Sequence, residues 1–387
     1  MKVLFLHKWL LMGGIERILI NYLKLLSNDK NISINVLIAY DTSNNVFHKE
    51  IPSNINIYYI FDKEYFNHSL LIYQNRKKSL KKNLINKFYK IKEKYLCRKK
   101  THQFITDNNY DIIINFSDHF DNYLKFNQLN IPIIRWQHLA PNPNEEIPYK
   151  KIKILRKYRK IITICDEMKK EMRKITNFPN EKYAILFNPI GFDNVIELSN
   201  KKMELINNNE EYIIQVARLD KIKRHEDLIN IYYELSKKGI KEKLYILGYG
   251  KEYENLKSLI NKLELNDKCI LLGEVKNPYP YIKNAKLFLH TSEREGLPTV
   301  LLESLILNTP VISTDCPTGP KEILSFGAGK LIPLGNQEKF IKEAFNLLTN
   351  PEQLEACKGK IPDTLSHFSE ENIKKQFISL LKEQIEK

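Results

Sequence analysis

Apolar and polar positions follow two periods along this chain. Val3 to His7 is a short apolar run, Gly13-Gly14 follows, and Ile15, Ile18, Leu19, Tyr22, Leu23 and Leu26 then recur at helical spacing. That order reads as strand, glycine turn, helix. Further apolar runs predict strands over 34–39, 111–116, 131–136 and 161–165. After residue 200 the pattern restarts, with strands over 212–216, 243–247, 270–272, 285–290 and 310–313 and helices over 224–238 and 252–263. Apolar strands alternating with amphipathic helices predict a parallel sheet covered on both faces. The restart predicts two such α/β domains, 1–185 and 200–365, joined through Asn188-Pro189. A last segment, 366–387, holds an amphipathic helix over 369–386 with Ser369 as its N-cap.

Composition narrows the partners. The 387 residues carry a net charge of +15, so at least one partner is expected to be anionic: nucleic acid, a membrane surface or a phosphorylated small molecule. The five cysteines are scattered without a CxxC pair, which fits neither a disulfide framework nor a zinc site and suggests a reducing compartment. His7 and Lys8 interrupt the apolar N-terminus, and no run of 18 apolar residues occurs, so a cytoplasmic protein is expected, soluble or peripheral on a membrane.

Open parallel sheets bind ligands outside the carboxyl ends of their strands, here in a crevice between the two domains. The informative residues should therefore follow strands. Ser292 to Glu303 follows the strand ending at His290. Pro298 suits a first helical position, and Gly296 lets backbone approach a ligand. The N–H groups of Leu297, Thr299 and Val300 would make an anion site at a positive helix end. Glu295 lies before that helix and Glu303 inside it. Two carboxylates flanking an anion site suit a diphosphate with a sugar on each side. Arg218 and Lys223, after the strand over 212–216, would supply countercharge. No D-x-D triplet occurs, so no metal is expected, and a leaving diphosphate would be neutralised by these cations and the helix end.

These stretches resemble the GT-B, retaining glycosyltransferase family 4, in the branch that builds bacterial surface polysaccharides. The matching residues are Gly13-Gly14-Ile15-Glu16-Arg17, Ala217-Arg218-Leu219 with Lys223, Leu247 to Gly250, Gly273 to Pro280, Glu295 to Glu303, and Pro310 to Glu322. Arg224 stands where many relatives carry glycine. The resemblance implies two facing Rossmann-like domains, with the final helix crossing back to the first. It implies transfer of a hexose or N-acetylhexosamine, with retention, from a nucleotide diphosphate sugar (UDP-linked) to a lipid-linked, lipopolysaccharide or capsule glycan. No cofactor is implied, because the nucleotide sugar is a substrate. By resemblance, Glu295 would contact the donor sugar, Glu303 the ribose, and Arg218 and Lys223 the diphosphate. Val275, Lys276 and Asn277 would meet the base, and Gly13-Gly14 the phosphates or acceptor.

His138 follows the strand over 131–136 and could reach the donor sugar from the first domain, or be a satisfied structural histidine. Asp118 and His119 are its rivals for shaping the acceptor pocket. The stretch Arg76 to Lys100 carries twelve basic residues and one acid, Glu93, with Leu80, Leu84, Phe88, Ile91 and Tyr95 at helical spacing. A basic amphipathic helix of this kind reads as an anionic-membrane contact. Lys150 to Lys160 could join it. Two other classes compete: a basic nucleic-acid-binding protein, for which no recognised module appears, and a catalytically silent nucleotide-sugar binder.

Overall fold

The computed structural model describes residues 1–11, 13–42, 44–139, 147–206 and 210–386. Among these residues, thirteen strands form two sheets, every recorded pairing being parallel. The chain divides into two units. One comprises Met1–Ile164, Lys169–Pro189 and Ile373–Lys387, and the other Cys165–Met168 with Ile190–Asn372.

The first unit holds β1 (Lys2–His7), β2 (Ser33–Tyr40), β3 (Asn56–Phe61), β4 (Ile112–Asn115), β5 (Ile133–Gln137), β6 (Lys160–Thr163) and β7 (Tyr183–Ile185). Their order is β3-β2-β1-β4-β5-β6-β7, so strand order reverses between β1 and β4. Val3, Leu4, Phe5 and Leu6 are fully buried, as a strand covered on both faces requires. The C-terminal helix Glu370–Glu386 completes this core. Its Phe377 is fully buried, with its ring centroid 5.5 Å from that of Tyr22 and 5.9 Å from that of Trp136. Ser369 Oγ accepts the Asn372 N–H at 3.4 Å, a cap at the predicted residue.

The second unit holds β8 (Tyr212–Val216), β9 (Lys243–Leu247), β10 (Cys269–Gly273), β11 (Leu287–His290), β12 (Val311–Asp315) and β13 (Gly329–Pro333), in the order β10-β9-β8-β11-β12-β13. Its reversal lies between β8 and β11. At Gly248 the chain leaves β9 with φ +144°, and a Cβ there would fall 1.9 Å from the Ala217 carbonyl oxygen. Only glycine fits so close to the end of β8.

Several expectations need correction. The second unit begins at Ile190, not at 200, because the helix Phe192–Ser199 is tied to it: Asn277 Nδ2 donates to the Leu198 carbonyl at 2.8 Å. Three further strands, β3, β7 and β13, lie at sheet edges: β7 is only three residues long and β13 has two adjacent apolar residues between Lys330 and Pro333, whereas β3 carries an apolar run, Ile57 to Phe61, that is missing from the expected strands. Pro298 is the N-cap, not the first helical residue, and the helix spans Thr299–Ile306. The basic stretch is not one helix. A helix over Lys63–Asn75 ends at Arg76, and the long helix Leu80–Asn108 begins after Ser79, whose Oγ accepts the Lys82 N–H at 3.2 Å.

Candidate active site

The loops after β8 and β11 meet at the reversal of the second sheet. The Glu293 N–H donates to the Ile222 carbonyl at 2.9 Å, and Thr291 Oγ1 donates to the Lys223 carbonyl at 3.0 Å. This stitching brings together two side chains far apart in sequence: Lys223 Nζ lies 2.5 Å from Glu295 Oε1. His290, the last residue of β11, places Nε2 3.0 Å from the same oxygen. Burial alone would raise the Glu295 carboxyl, but the His290 hydrogen bond and the charges of His290 and Lys223 outweigh it and hold the group at about 2.

Glu303 has the opposite environment. Burial pushes its carboxyl up to about 7, against a hydrogen bond from Thr299. No cation pairs with it among the described contacts. The two carboxylates flanking the helix start are therefore electrically unlike, one firmly ionised and the other poised near neutrality. Leu297 is buried and Pro298 has no N–H to give, so the helix-end donors begin with Thr299. Gly319, with φ +97°, lets the segment after β12 pack against this turn; a Cβ there would fall 2.5 Å from Pro298 Cδ and 2.6 Å from the Gly296 carbonyl oxygen.

Arg218 and Lys223 are not equivalent. Arg218 is 78 % exposed and lies 3.1 Å from Asp220, whereas Lys223 is enclosed against Glu295. Arg224 adopts φ 53° and ψ 40°, the left-handed conformation natural to glycine, and its guanidinium Nε lies 2.8 Å from Asp227. Of the residues after β10, Asn277 is occupied structurally, donating to Leu198 and accepting the Tyr279 N–H at 3.3 Å; Val275 is half-buried and Lys276 exposed. They lie at the end of an edge strand, two strands away from β11's neighbour β8.

In the first unit Gly13 caps the helix Gly14–Ser27 with extended backbone, φ −172°. A Cβ there would lie 2.2 Å from Glu16 Oε2, so the Glu16 carboxylate would have to shift to admit one. Glu16 Oε1 lies 3.2 Å from Nε2 of His7, the last residue of β1. Burial raises the Glu16 carboxyl, but His7 and Trp9 bring it below its ordinary value.

His138, just past the end of β5, is largely enclosed. It is 7 % exposed, Nε2 lies 2.8 Å from the Phe116 carbonyl oxygen, and its ring packs with Phe116 and Trp136. Burial pushes it down to about 3 despite the bond to Phe116. Its Nδ1 has no partner among the described residues. His119 is likewise pushed down to about 3 by burial, among the rings of Tyr40, Phe120 and Tyr123. Asp118 is exposed, 4.0 Å from Lys151.

Sequence reasoning assigned no role to His7, Glu16 or His290. The available signal was a histidine ending a central apolar strand, at each point where strand order reverses.

Two Rossmann-like parallel sheets, with charged residues gathered where strand order reverses, define the GT-B type of glycosyltransferase fold. Residues 197–362 match the family described as glycosyl transferases group 1, so the second unit is a group 1 glycosyltransferase domain. An uncharacterised glycosyltransferase of Methanocaldococcus jannaschii is 37% identical over 208 residues, 50% of this chain and 51% of that protein. The N-acetylgalactosamine-N,N'-diacetylbacillosaminyl-diphospho-undecaprenol 4-alpha-N-acetylgalactosaminyltransferase of Campylobacter jejuni is 32% identical over 202 residues, 52% of this chain and 54% of that protein. The chain thus spans about half the length of these curated relatives. Among solved structures, TarM of S. aureus, crystallised with fondaparinux, alpha-GlcNAc-glycerol and UDP, superposes with a TM-score of 0.74 at 16% identity, over 98% of this chain and 100% of that one. That likeness is one of fold.

Proposed function

We propose that the protein is a retaining glycosyltransferase of family 4 that transfers a hexose or N-acetylhexosamine from a UDP-sugar to a lipid-linked glycan. The observation that carries this reading is Lys223 held 2.5 Å from Glu295 just before the Thr299–Ile306 helix, with Glu303 on that helix and Arg218 at the neighbouring strand end. Glu295, ionised and held by Oε1, has Oε2 to accept a donor-sugar hydroxyl. Glu303 accepts from the ribose. Arg218, Lys223 and the helix N–H groups receive the diphosphate. Gly13-Gly14 and the polar residues after β1 and β4 serve the acceptor. UDP in TarM and the diphospho-undecaprenol acceptor named for the Campylobacter relative support the donor and acceptor classes. With no carboxylate among the described residues set apart as a nucleophile, the leaving phosphate assists deprotonation of the acceptor on the same face.

Leaving-group charge is neutralised without a metal, since no D-x-D triplet is available to hold one. A thermal-shift screen of nucleotide sugars, followed by donor hydrolysis in EDTA, tests both points. Stabilisation by UDP-sugars with hydrolysis persisting in chelator is expected. Loss of hydrolysis that Mn²⁺ restores would overturn the metal-free reading, and no response to any nucleotide sugar would overturn the function.

The acceptor's lipid is matched by a surface of the first unit. On the helix Leu80–Asn108, Leu80, Leu84, Phe88, Ile91 and Tyr95 are 86, 65, 76, 69 and 64 % exposed. At about 100° per residue they form one stripe, flanked by exposed Lys87 and Lys94 on one side and Lys81, Lys92 and Lys99 on the other. The opposite side is anchored, with Asn86 and Cys97 buried and Glu93 accepting from Ser69 Oγ at 3.0 Å. Among the described residues no helix is long and apolar enough to cross a membrane. The stripe instead suits a helix lying in an anionic leaflet, each lysine contributing about 1 kcal/mol. Flotation with phosphatidylglycerol vesicles should carry the protein up, and Phe88→Asp with Ile91→Asp should abolish it. Equal flotation of the variant would sink the assignment.

A further inference from the structure

His290 is 1 % exposed, and both ring nitrogens are engaged: Nδ1 lies 2.8 Å from Ser313 Oγ and Nε2 3.0 Å from Glu295 Oε1. The Ser313 hydroxyl also lies 2.9 Å from the Thr314 carbonyl oxygen. That hydroxyl has a single proton to give. Donated to the Thr314 carbonyl, it leaves Ser313 Oγ as the acceptor of an Nδ1–H, and the ring carries two protons. Donated to Nδ1, it leaves the ring neutral with its proton on Nε2. In both states Nε2–H points at Glu295. Rotation of one hydroxyl therefore accommodates either charge on His290, with no movement of ring or carboxylate.

Lys223 shares the same carboxylate oxygen. A lysine is a flexible point charge, and it cannot stay 2.5 Å from Oε1 while giving its full charge to a diphosphate. Its departure would leave a largely enclosed carboxylate without a partner, which is costly. A histidine that keeps donating to Oε1 removes most of that cost.

We propose that His290 is a positioning residue: it holds Glu295 by Oε1 so that Lys223 can exchange the carboxylate for the donor's diphosphate while Glu295 stays aimed at the sugar. This rests on the reading that Lys223 binds the diphosphate and Glu295 the sugar. Ser313 supports the device from behind, at the end of the neighbouring strand β12.

Calorimetry with UDP on His290→Leu, His290→Gln, Lys223→Met and the double variant His290→Leu/Lys223→Met tests it, with thermal melts as a check on folding. His290→Leu should weaken UDP binding about tenfold, the lower end for a lost charged hydrogen bond, although His290 does not touch the nucleotide. His290→Gln, whose amide still donates to Glu295, should recover most of that loss. In the Lys223→Met background, His290→Leu should have no further effect on UDP affinity, because no lysine remains to be released. A merely structural histidine would weaken UDP by the same factor in both backgrounds, and that result would overturn the proposal. So would wild-type UDP affinity in His290→Leu when Lys223→Met is impaired, a result that leaves the assignment of Lys223 standing. Wild-type affinity in Lys223→Met would overturn that assignment and the proposal with it.

Discussion

The reversal points of the two sheets each hold a histidine–glutamate pair, but on opposite sides of the reversal and in different surroundings. At each reversal one of the two bordering strands ends in a buried histidine, His7 on β1 and His290 on β11, while the strand beside it ends in Asn115 or Val216, and each histidine meets a glutamate from the following segment, Glu16 or Glu295. In the second unit that glutamate also meets Lys223, the loops are cross-linked by a backbone bond and the Thr291 hydroxyl, and a second carboxylate, Glu303, stands on the helix. In the first unit the surroundings are aromatic: Trp9 with Lys8 Nζ 3.6 Å from its ring centroid, then Phe116, His119 and Tyr123. A densely charged and rigidly stitched end suits a ligand whose charge is invariant, such as a nucleotide diphosphate. An aromatic end with fewer charges suits a ligand recognised by shape and hydroxyl groups. The family match likewise falls on the second unit, over residues 197–362.

The contrast can be broken at its strongest point first. Glu295→Gln should lower turnover by roughly 100-fold or more, as for loss of a group that acts on developing charge, while UDP affinity changes by less than about threefold. A collapse of UDP affinity with turnover preserved would reverse the roles of Glu295 and Glu303. Turnover and calorimetry on one preparation decide it.

Glu303→Gln comes next, with Kd for UDP and UDP-sugar rising together, by about tenfold, since ribose is common to both. Its pH behaviour sharpens the comparison further. The folded Glu303 carboxyl, at about 7, lies above its ordinary 4.5, so the folded state holds the extra proton between those values. Stability on this account is highest below that window and falls as pH rises through it. Glu295, at about 2 against 4.5, works in the other direction, contributing stability above about 4.5 that is lost as pH falls toward 2. Thermal melts at pH 5 and pH 8 should therefore show Glu303→Gln gaining on the parent protein at the higher pH. A constant difference across that range would contradict the burial argument.

A smaller effect is expected in the first unit. Glu16→Gln should leave UDP affinity within about twofold of the parent and raise the acceptor KM severalfold, because it loosens His7 without touching the donor end. Equal damage to both substrates would erase the distinction between the two reversal points. Smallest of all should be Arg224→Gly. Relief of the left-handed backbone, worth about 1 kcal/mol, is offset by loss of the partly exposed pair with Asp227. A shift in unfolding free energy beyond about 1.5 kcal/mol either way would mean that one of these contributions has been misjudged.

Much of the architecture is determined by sequence alone. Central parallel strands are buried on both faces, so β1, β2, β8, β9 and β11 show as continuous apolar runs, and Gly13 and Ser369 mark where two of the helices begin. Carboxyl-end positions of those strands then direct attention to Arg218, Lys223, Glu295 and Glu303. Sequence also contains the arginine at position 224, though only the backbone shows why glycine is natural there. Tertiary structure decided the rest. Edge strands β7 and β13 carry no long apolar run of their own and exist because a neighbour supplies their hydrogen bonds. The exposed face of Leu80–Asn108 could not be told from a core face by periodicity, since both repeat every three to four residues. The enclosure of His138 depends on Phe116 and Trp136 packing against its ring. The pairing of Lys223, His290 and Glu295 depends on two loops held together by one backbone hydrogen bond and by the Thr291 hydroxyl, across a gap of 72 residues, and no local pattern encodes a partner at that distance. Local propensity acts over a few residues, whereas charge pairing and burial act through space, and space is set only when the sheets form.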